Sequence, residues 1–476
     1  MVKKTMTKKE LDALKKKISR KPVLVWDCLS TAEEKKVFQF ADKYKSFLDV
    51  AKTERKTASL IAAELEKSGF QDITTASSGG NKLYRIFRNK VVAAAVIGKS
   101  PVSDGLNIIA SHIDSPRLDL KQNPLYEEVD LAMMKIHYYG GIRKYQWLAR
   151  PLAMHGKIIM KNGQEFDIEI GEDDNDPVFT ISDLLPHLAR KLQAGKKLAQ
   201  VFPGEKLNLI AGSMPVGDLK IKERFKLNVL KYLYEKFKMV EGDFISAEIE
   251  VVPAGRARDV GFDRSLIGAY GQDDRICAFT SLKALQDLKN PDRTGAAFFY
   301  DKEEIGSEGN TGAKSRFIED FISDLLAVSG QATDERTLRK ALFASSALSA
   351  DVNGALDPDF QEVHEKRNAA RLGHGICITK FTGSGGKSGA NDASAEYVGR
   401  LRKVFNDSRV VWQTGELGKV DEGGGGTVAK YLAEYGLEIV DCGPALLAMH
   451  SPMEISSKGD VYMTYKAYKA FFSSKG

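Results

Sequence analysis

His112 and Asp114 stand one residue apart in SHIDSPR, directly after the apolar run Asn107 to Ser111. A histidine leaving the end of a β-strand can bind a metal, while a carboxylate two positions on fixes its tautomer and ring orientation. His-x-Asp alone is common in soluble chains and decides nothing. Four further segments place a ligand-type side chain after a buried-looking stretch, where α/β proteins build their sites. YGQDDR sets Asp273 and Asp274 at the start of the helical pattern Ile276, Phe279, Leu282, Leu285. A carboxylate there can also do no more than favour the helix dipole. GAAFFYDKEEIGSEG runs the strand Ala296 to Tyr300 into Asp301, Glu303 and Glu304, then into glycines that turn the chain. A solvated acidic turn is the plain alternative. Asp351 follows Ala347 to Ala350, and His450 ends the apolar run of LEIVDCGPALLAMHS; either could be an ordinary loop residue.

Taken together, His112, Asp273, Glu304, Asp351 and His450 form a set of two histidines and three carboxylates. That set suits two borderline divalent metals sharing one bridging carboxylate. Two metals about 3.5–4 Å apart activate a water and polarise a carbonyl. The spare glutamate of the pair can then act as a general base with an environment-tuned pKa.

SHIDSP, YGQDDR, DKEEIGSEG, LSAD and LAMHS, in this order and spacing, resemble the aspartyl aminopeptidase and vacuolar aminopeptidase I family of dinuclear zinc aminopeptidases, in a bacterial-type form. The resemblance runs from about residue 20 to the C-terminus. It implies that His112 and Asp351 hold one zinc, that Glu304 and His450 hold the other, and that Asp273 bridges both. Cobalt or manganese are substitutes the same donors accept. It also implies that Glu303 is the general base and that Asp114 orients His112. His187, in LLPHLAR, would be lent across a dimer interface to stabilise the oxyanion, and Lys380, in ITKFTG, would contact substrate. By themselves His187 is an ordinary helix residue and Lys380 an alternate, solvent-facing strand residue.

The chain departs from the eukaryotic aspartyl aminopeptidases just after Asp351. Those proteins carry histidines there, whereas this chain reads Val352, Asn353, Gly354, Ala355, Leu356, Asp357. One of those histidines contacts substrate, and Gly354 stands in its place. The tyrosine that follows the lysine there has no clear counterpart in FTGSGGKSGAND. Acidic and neutral N-terminal residues both stay open as substrates.

The elements that must position these residues follow an α/β rhythm. The helix-period residues Leu60, Ile61 and Leu65 precede strands near Tyr84 to Arg88 and Val91 to Ile97. From about residue 119 to 245 the pattern changes to short strands such as HGKIIM and FDIEI, the DLLPHLARKL helix and charged loops, with no metal ligand. The rhythm then resumes with strands expected at Ala296 to Tyr300, Ser323 to Ser329, Gly375 to Lys380, Val410 to Gln413 and Glu438 to Asp441, and a helix over Gly426 to Tyr435. The division is therefore a catalytic domain in two segments, 1–118 and 246–476, split by an insertion over 119–245. The resemblance makes the first a zinc exopeptidase α/β/α sandwich and the second a mainly β dimerisation domain, with dimers assembling into tetrahedral dodecamers.

Length and a 43% hydrophobic content over 476 residues suit two or three packed domains. Cys28, Cys277, Cys377 and Cys442 are scattered without C-x-x-C, which argues against a disulfide framework or a thiolate zinc site and reads as reduced, buried thiols. The net charge of +6 arises from 70 basic and 64 acidic residues spread along the chain, without the aromatic interleaving of a nucleic-acid surface. The lysine-rich start, with Leu11, Leu14 and Ile18 on one side of a helical pattern, is expected to be solvated or to pack between subunits. No apolar run approaches the roughly 18 residues of a membrane span, and no secretory h-region is present. Gly423 to Gly426 is expected to form a close-approach loop near the site. The expected protein is a cytoplasmic aminopeptidase acting on short peptides, without nucleic-acid or membrane partners. A carboxypeptidase or amide deacylase of the related fold, and a self-assembling scaffold or cargo protein, are the alternatives.

Overall fold

The computed structural model describes residues 6–76 and 80–475. Its catalytic layer is a ten-stranded mixed sheet. The middle is parallel: Leu106–His112 pairs with Thr294–Tyr300 on one side and Ser346–Ser349 on the other, and Ser346–Ser349 pairs in turn with Glu438–Leu446. Leu106–His112, Thr294–Tyr300 and Ser346–Ser349 are buried along their whole length, as strands covered on both faces must be. Lys82–Phe87 and Val91–Val96 extend the sheet antiparallel at one edge, and Ile376–Thr379 joins Glu438–Leu446 antiparallel at the other.

Helices cover both faces. One core is closed by Thr31–Val50, Glu54–Lys67, Gln272–Gln286, Ala395–Asp407 and Lys458–Phe472. The other is closed by Phe317–Val328 and Glu335–Phe343. This is the α/β/α sandwich expected. In the first core Phe279 is 1% exposed and meets the rings of Phe40, Tyr44 and Phe47 at 5.2–5.3 Å.

A separate six-stranded antiparallel sheet runs in the order Glu165–Ile170, Leu152–Ile159, Glu248–Pro253, Arg117–Glu128, Leu131–Tyr139, Asn208–Gly212. It closes its own core with Trp147, Phe244 and the helix Arg224–Phe237. Its limits differ from the 119–245 expected. Glu248–Pro253, assigned to the second catalytic segment, hydrogen-bonds between Leu152–Ile159 and Arg117–Glu128 instead. The alternating run EIEVVP carries no signal for which sheet receives it.

Two local expectations are corrected. Ser323 to Ser329 is not a strand but lies at the end of the helix Phe317–Val328 and its cap. The buried Phe317, Ile318, Phe321, Ile322, Leu325 and Leu326 recur at the helical period, which outweighs the short apolar run LLAV. Within 426–435 only Ala429–Leu432 is α-helical, followed by the 3₁₀ turn Ala433–Tyr435. The N-terminal helix Lys8–Ile18 buries none of its residues, and among the described residues no helix is long and apolar enough to cross a membrane.

Truncating Phe279 to alanine opens a cavity among three aromatic rings. It should lower the free energy of unfolding by about 3–5 kcal/mol, read from the denaturant midpoint at fixed protein concentration.

Candidate metal centre

Strand register brings the site together. His112 is the last residue of its strand and lies opposite Tyr300, so Glu303 and Glu304, three and four residues beyond Tyr300, emerge beside it. On the other side Ala110 lies opposite Ser349, two residues before Asp351. The strand Glu438–Leu446 then leads to His450. The candidate ligand side chains thus gather at the carboxyl ends of the parallel strands, where open α/β sheets bind ligands. Asp273 enters from the first turn of Gln272–Gln286, ahead of the regular helix. Gly271 before it has φ +71, and a Cβ there would lie 1.7 Å from Nη1 of the buried Arg275, so only glycine fits this turn.

Asp273 sits between the two histidines. Its Oδ1 is 3.2 Å from His112 Nε2 and its Oδ2 is 3.2 Å from His450 Nε2. Glu304 Oε2 lies 3.3 Å from His450 Nε2, and Asp351 Oδ1 lies 4.0 Å from His112 Nε2. Glu303 Oε2 stands 3.9 Å from His112 Nε2. Both rings turn Nε2 inward because the other nitrogen is engaged. His112 Nδ1 is 3.1 Å from the Asp114 carbonyl and 3.3 Å from its carboxylate, and His450 Nδ1 is 2.9 Å from the Gly141 carbonyl. Nδ1–H as donor leaves each Nε2 lone pair free for a metal.

The donor set fits divalent cations. Two groups have ligand atoms all within 4.8 Å of one another: His112, Asp273 and Glu304, and His112, Asp274 and Asp351. Asp273 Oδ1, Glu304 Oε1 and both oxygens of Asp274 are buried without a hydrogen-bond partner, an arrangement costly to leave uncompensated. Asp274, named in the sequence only as the neighbour of Asp273, is therefore a further candidate donor on the Asp351 side. Burial, with the charge of Asp273 added, pushes Glu304 well above the carboxylate range, and burial does the same for Asp351. Burial works against a charged His450, yet its hydrogen bond to Asp273 and the charge of Glu304 push it up to about 10. A pocket that makes imidazole hold a proton so firmly is one in which a cation is strongly favoured. Burial also raises Glu303 to about 7, helped by Asp114 and Asp273 and opposed by His112.

Two buried carboxylates hold this cluster from behind. Asp114 accepts the backbone amides of Glu303 (3.1 Å) and Glu304 (3.2 Å) and the hydroxyl of Tyr139 (2.8 Å). Glu454 accepts the amides of Gln272 (2.6 Å) and Asp273 (3.2 Å) on one oxygen and that of His450 (2.8 Å) on the other. Glu454 was not singled out in the sequence. Its signal is an acidic residue just past the Ser451–Pro452 break that begins the short strand Glu454–Ser457.

The ligands open into a cavity of about 580 Å³, walled in part by Asn353, Thr379, Thr382, Leu417 and Met449. Gly424 to Gly426 line it as well, and Gly424, with φ +120, packs so closely on the Gly383 carbonyl that a Cβ would lie 1.6 Å from that oxygen. Lys430 reaches this wall, but Lys380 does not line it. The Lys380 ammonium ion-pairs with Asp392, which also binds Lys387 at 2.8 Å. His187 is exposed on the short helix Pro186–Gln193, which buries none of its residues, and it does not line the cavity of its own chain.

Residues 47–472 match the family described as Aminopeptidase I zinc metalloprotease (M18). The chain belongs to the M18 family of metallo-aminopeptidases. The crystal structure of the M18-family aminopeptidase from Thermotoga maritima superposes with a TM-score of 0.91 at 47% identity, covering 95% of this chain and 99% of that one. Aminopeptidase I from Clostridium acetobutylicum superposes with a TM-score of 0.89 at 48% identity, covering 96% and 100%. The S. cerevisiae mApe1 dodecamer, at 21% identity and a TM-score of 0.73 over 91% of this chain and 96% of that one, shares the fold.

Replacing Glu454 with glutamine puts an NH₂ group where one carboxylate oxygen accepts a backbone amide. Zinc affinity should fall roughly 10–100-fold with the fold intact, measured by competition with a coloured chelator.

Proposed function

We propose that this metallo-aminopeptidase works with two zinc ions per subunit and uses Glu303 as its general base. The observation that carries the reading is Asp273, whose two carboxylate oxygens each approach a different histidine Nε2 at 3.2 Å. His112 and Asp351 would hold one ion, Glu304 and His450 the other, and Asp273 would bridge them; Asp274 is close enough to join the first. Bound there, two zinc ions would lower the pKa of an attacking water and polarise the scissile carbonyl. Glu303 takes the proton from that water and delivers it to the departing amine. Asp114 holds His112 in the tautomer that leaves Nε2 free and anchors the Glu303–Glu304 turn by its amides.

Leu417 and Met449 in the cavity wall, together with the engagement of Lys380 by Asp392, support neutral N-terminal residues as better substrates than acidic ones, with Lys430 in the same wall as the cation that would answer an acidic side chain. His187 stands on a surface where Leu184, Leu185, Leu188 and Leu192 are all 40–60% exposed. Such a surface supports burial against a second subunit, with His187 offered to the neighbour's site and dimers assembling into a tetrahedral dodecamer. Cys277, Cys377 and Cys442 as buried free thiols support a reducing, cytoplasmic setting.

Glu303→Gln should lower kcat by about 10²–10⁴-fold while leaving the zinc content unchanged by atomic absorption. On a panel of Leu-, Met-, Lys-, Asp- and Glu-aminoacyl substrates, the wild-type enzyme should turn over Leu and Met faster than Asp and Glu. N-acetylated peptides should resist it; cleavage of these instead would favour a deacylase.

A further inference from the structure

Tyr139 closes a strand of the six-stranded sheet, and Gly140 and Gly141 follow directly after it, yet this segment touches both halves of the candidate metal centre. Tyr139 ends the strand Leu131–Tyr139 and donates its hydroxyl to Asp114 Oδ2 at 2.8 Å. Asp114 in turn engages His112 and the amides of Glu303 and Glu304. Two residues on, the Gly141 carbonyl accepts from His450 Nδ1 at 2.9 Å. Gly140 has φ +73, and a Cβ there would sit 3.3 Å from Pro116 and 3.4 Å from the Glu304 side chain, so the turn runs close against the ligand loop.

The Tyr139 ring is itself held. The Arg117 guanidinium lies 3.9 Å from its ring centre, and Arg117 and Tyr139 are register partners on neighbouring strands. Arg117 pairs with Asp119 at 2.8 Å and Glu250 at 3.4 Å within the six-stranded sheet. It reaches Glu54, at the start of a catalytic-domain helix, at 3.6 Å. Glu54 is fully buried and is also bound by Lys90 at 2.9 Å. An ion-pair cluster therefore locks the second sheet against the catalytic domain at the residue that stacks on Tyr139.

We propose that Tyr139–Gly141 is a positioning element of the second sheet that sets the orientation of both metal-binding histidines, His112 through the Tyr139 hydroxyl and Asp114, and His450 through the Gly141 carbonyl. The inference rests on the two-metal reading above. Both contacts are of the outer kind that fix a ligand's tautomer and angle. They make the geometry of the metal centre depend on the placement of a domain that supplies none of its ligands.

The test is Tyr139→Phe, which removes one hydroxyl and keeps the ring over Arg117, compared with Tyr138→Phe on the exposed neighbouring residue. Zinc bound per subunit and its transfer to a coloured chelator are measured alongside kcat, KM and the unfolding midpoint. We expect Tyr139→Phe to bind one of its two zinc ions roughly 10–100-fold more weakly. At saturating zinc, kcat should drop with KM unchanged; in excess chelator the unfolding midpoint should be that of the wild type, since weaker zinc binding by itself lowers only the zinc-loaded midpoint. Tyr138→Phe should match the wild type throughout. Wild-type protein with two zinc ions, alongside a Tyr139→Phe variant equal to it in zinc affinity and kcat, would overturn this proposal alone. Wild-type protein retaining fewer than two zinc ions would overturn the two-metal reading and this inference with it.

Discussion

Crowding Asp114, Asp273, Asp274, Glu303, Glu304, Asp351 and Glu454 into one largely buried pocket is unfavourable unless cations share it. Desolvation and mutual repulsion both oppose the charged forms. His112 and His450 answer part of that charge, and both are drawn toward protonation despite their burial. The remaining unpaired oxygens on Asp273, Asp274 and Glu304 mark where a divalent ion would complete the balance. The surrounding fold can be understood as the means of holding these acids in place against their own repulsion.

It does so through backbone amides and strand register. The parallel strands fix where Glu303, Glu304 and Asp351 emerge relative to His112, because each strand end is locked to its neighbour along its length. Asp114 and Glu454, which need not touch a metal, draw the ligand-bearing turns inward by accepting their amides. A carboxylate that accepts several N–H groups is stabilised there and restrains the chain at once. The site is thereby held from two sides, and the second sheet adds contacts through Tyr139 and Gly141.

Much of the candidate site was legible because most of its candidate ligands follow apolar runs that read as buried strands. AAFFY before Asp301 to Glu304 and LNIIAS before His112 announce both the strand and the residue it delivers. Glu454, Tyr139 and Gly141 were not legible in that way. Their importance lies in contacts across 182, 25 and 309 positions of the chain, which no local pattern records. Lys380 shows the converse. The resemblance implied substrate contact for it, but the partner that pairs with it, Asp392, lies in a glycine-rich loop whose course has no periodic signal. The boundary expected at 245 leaves Glu248–Pro253 outside the sheet that receives it for a similar reason, since alternation reveals a strand but not its neighbours.

The most direct test of the account is zinc-edge anomalous diffraction from crystals of the zinc-loaded enzyme. The account predicts two anomalous peaks about 3.5–4 Å apart with the Asp273 carboxylate between them, one beside His112 and the other beside His450. A single peak, or a second one away from Asp273, would contradict it.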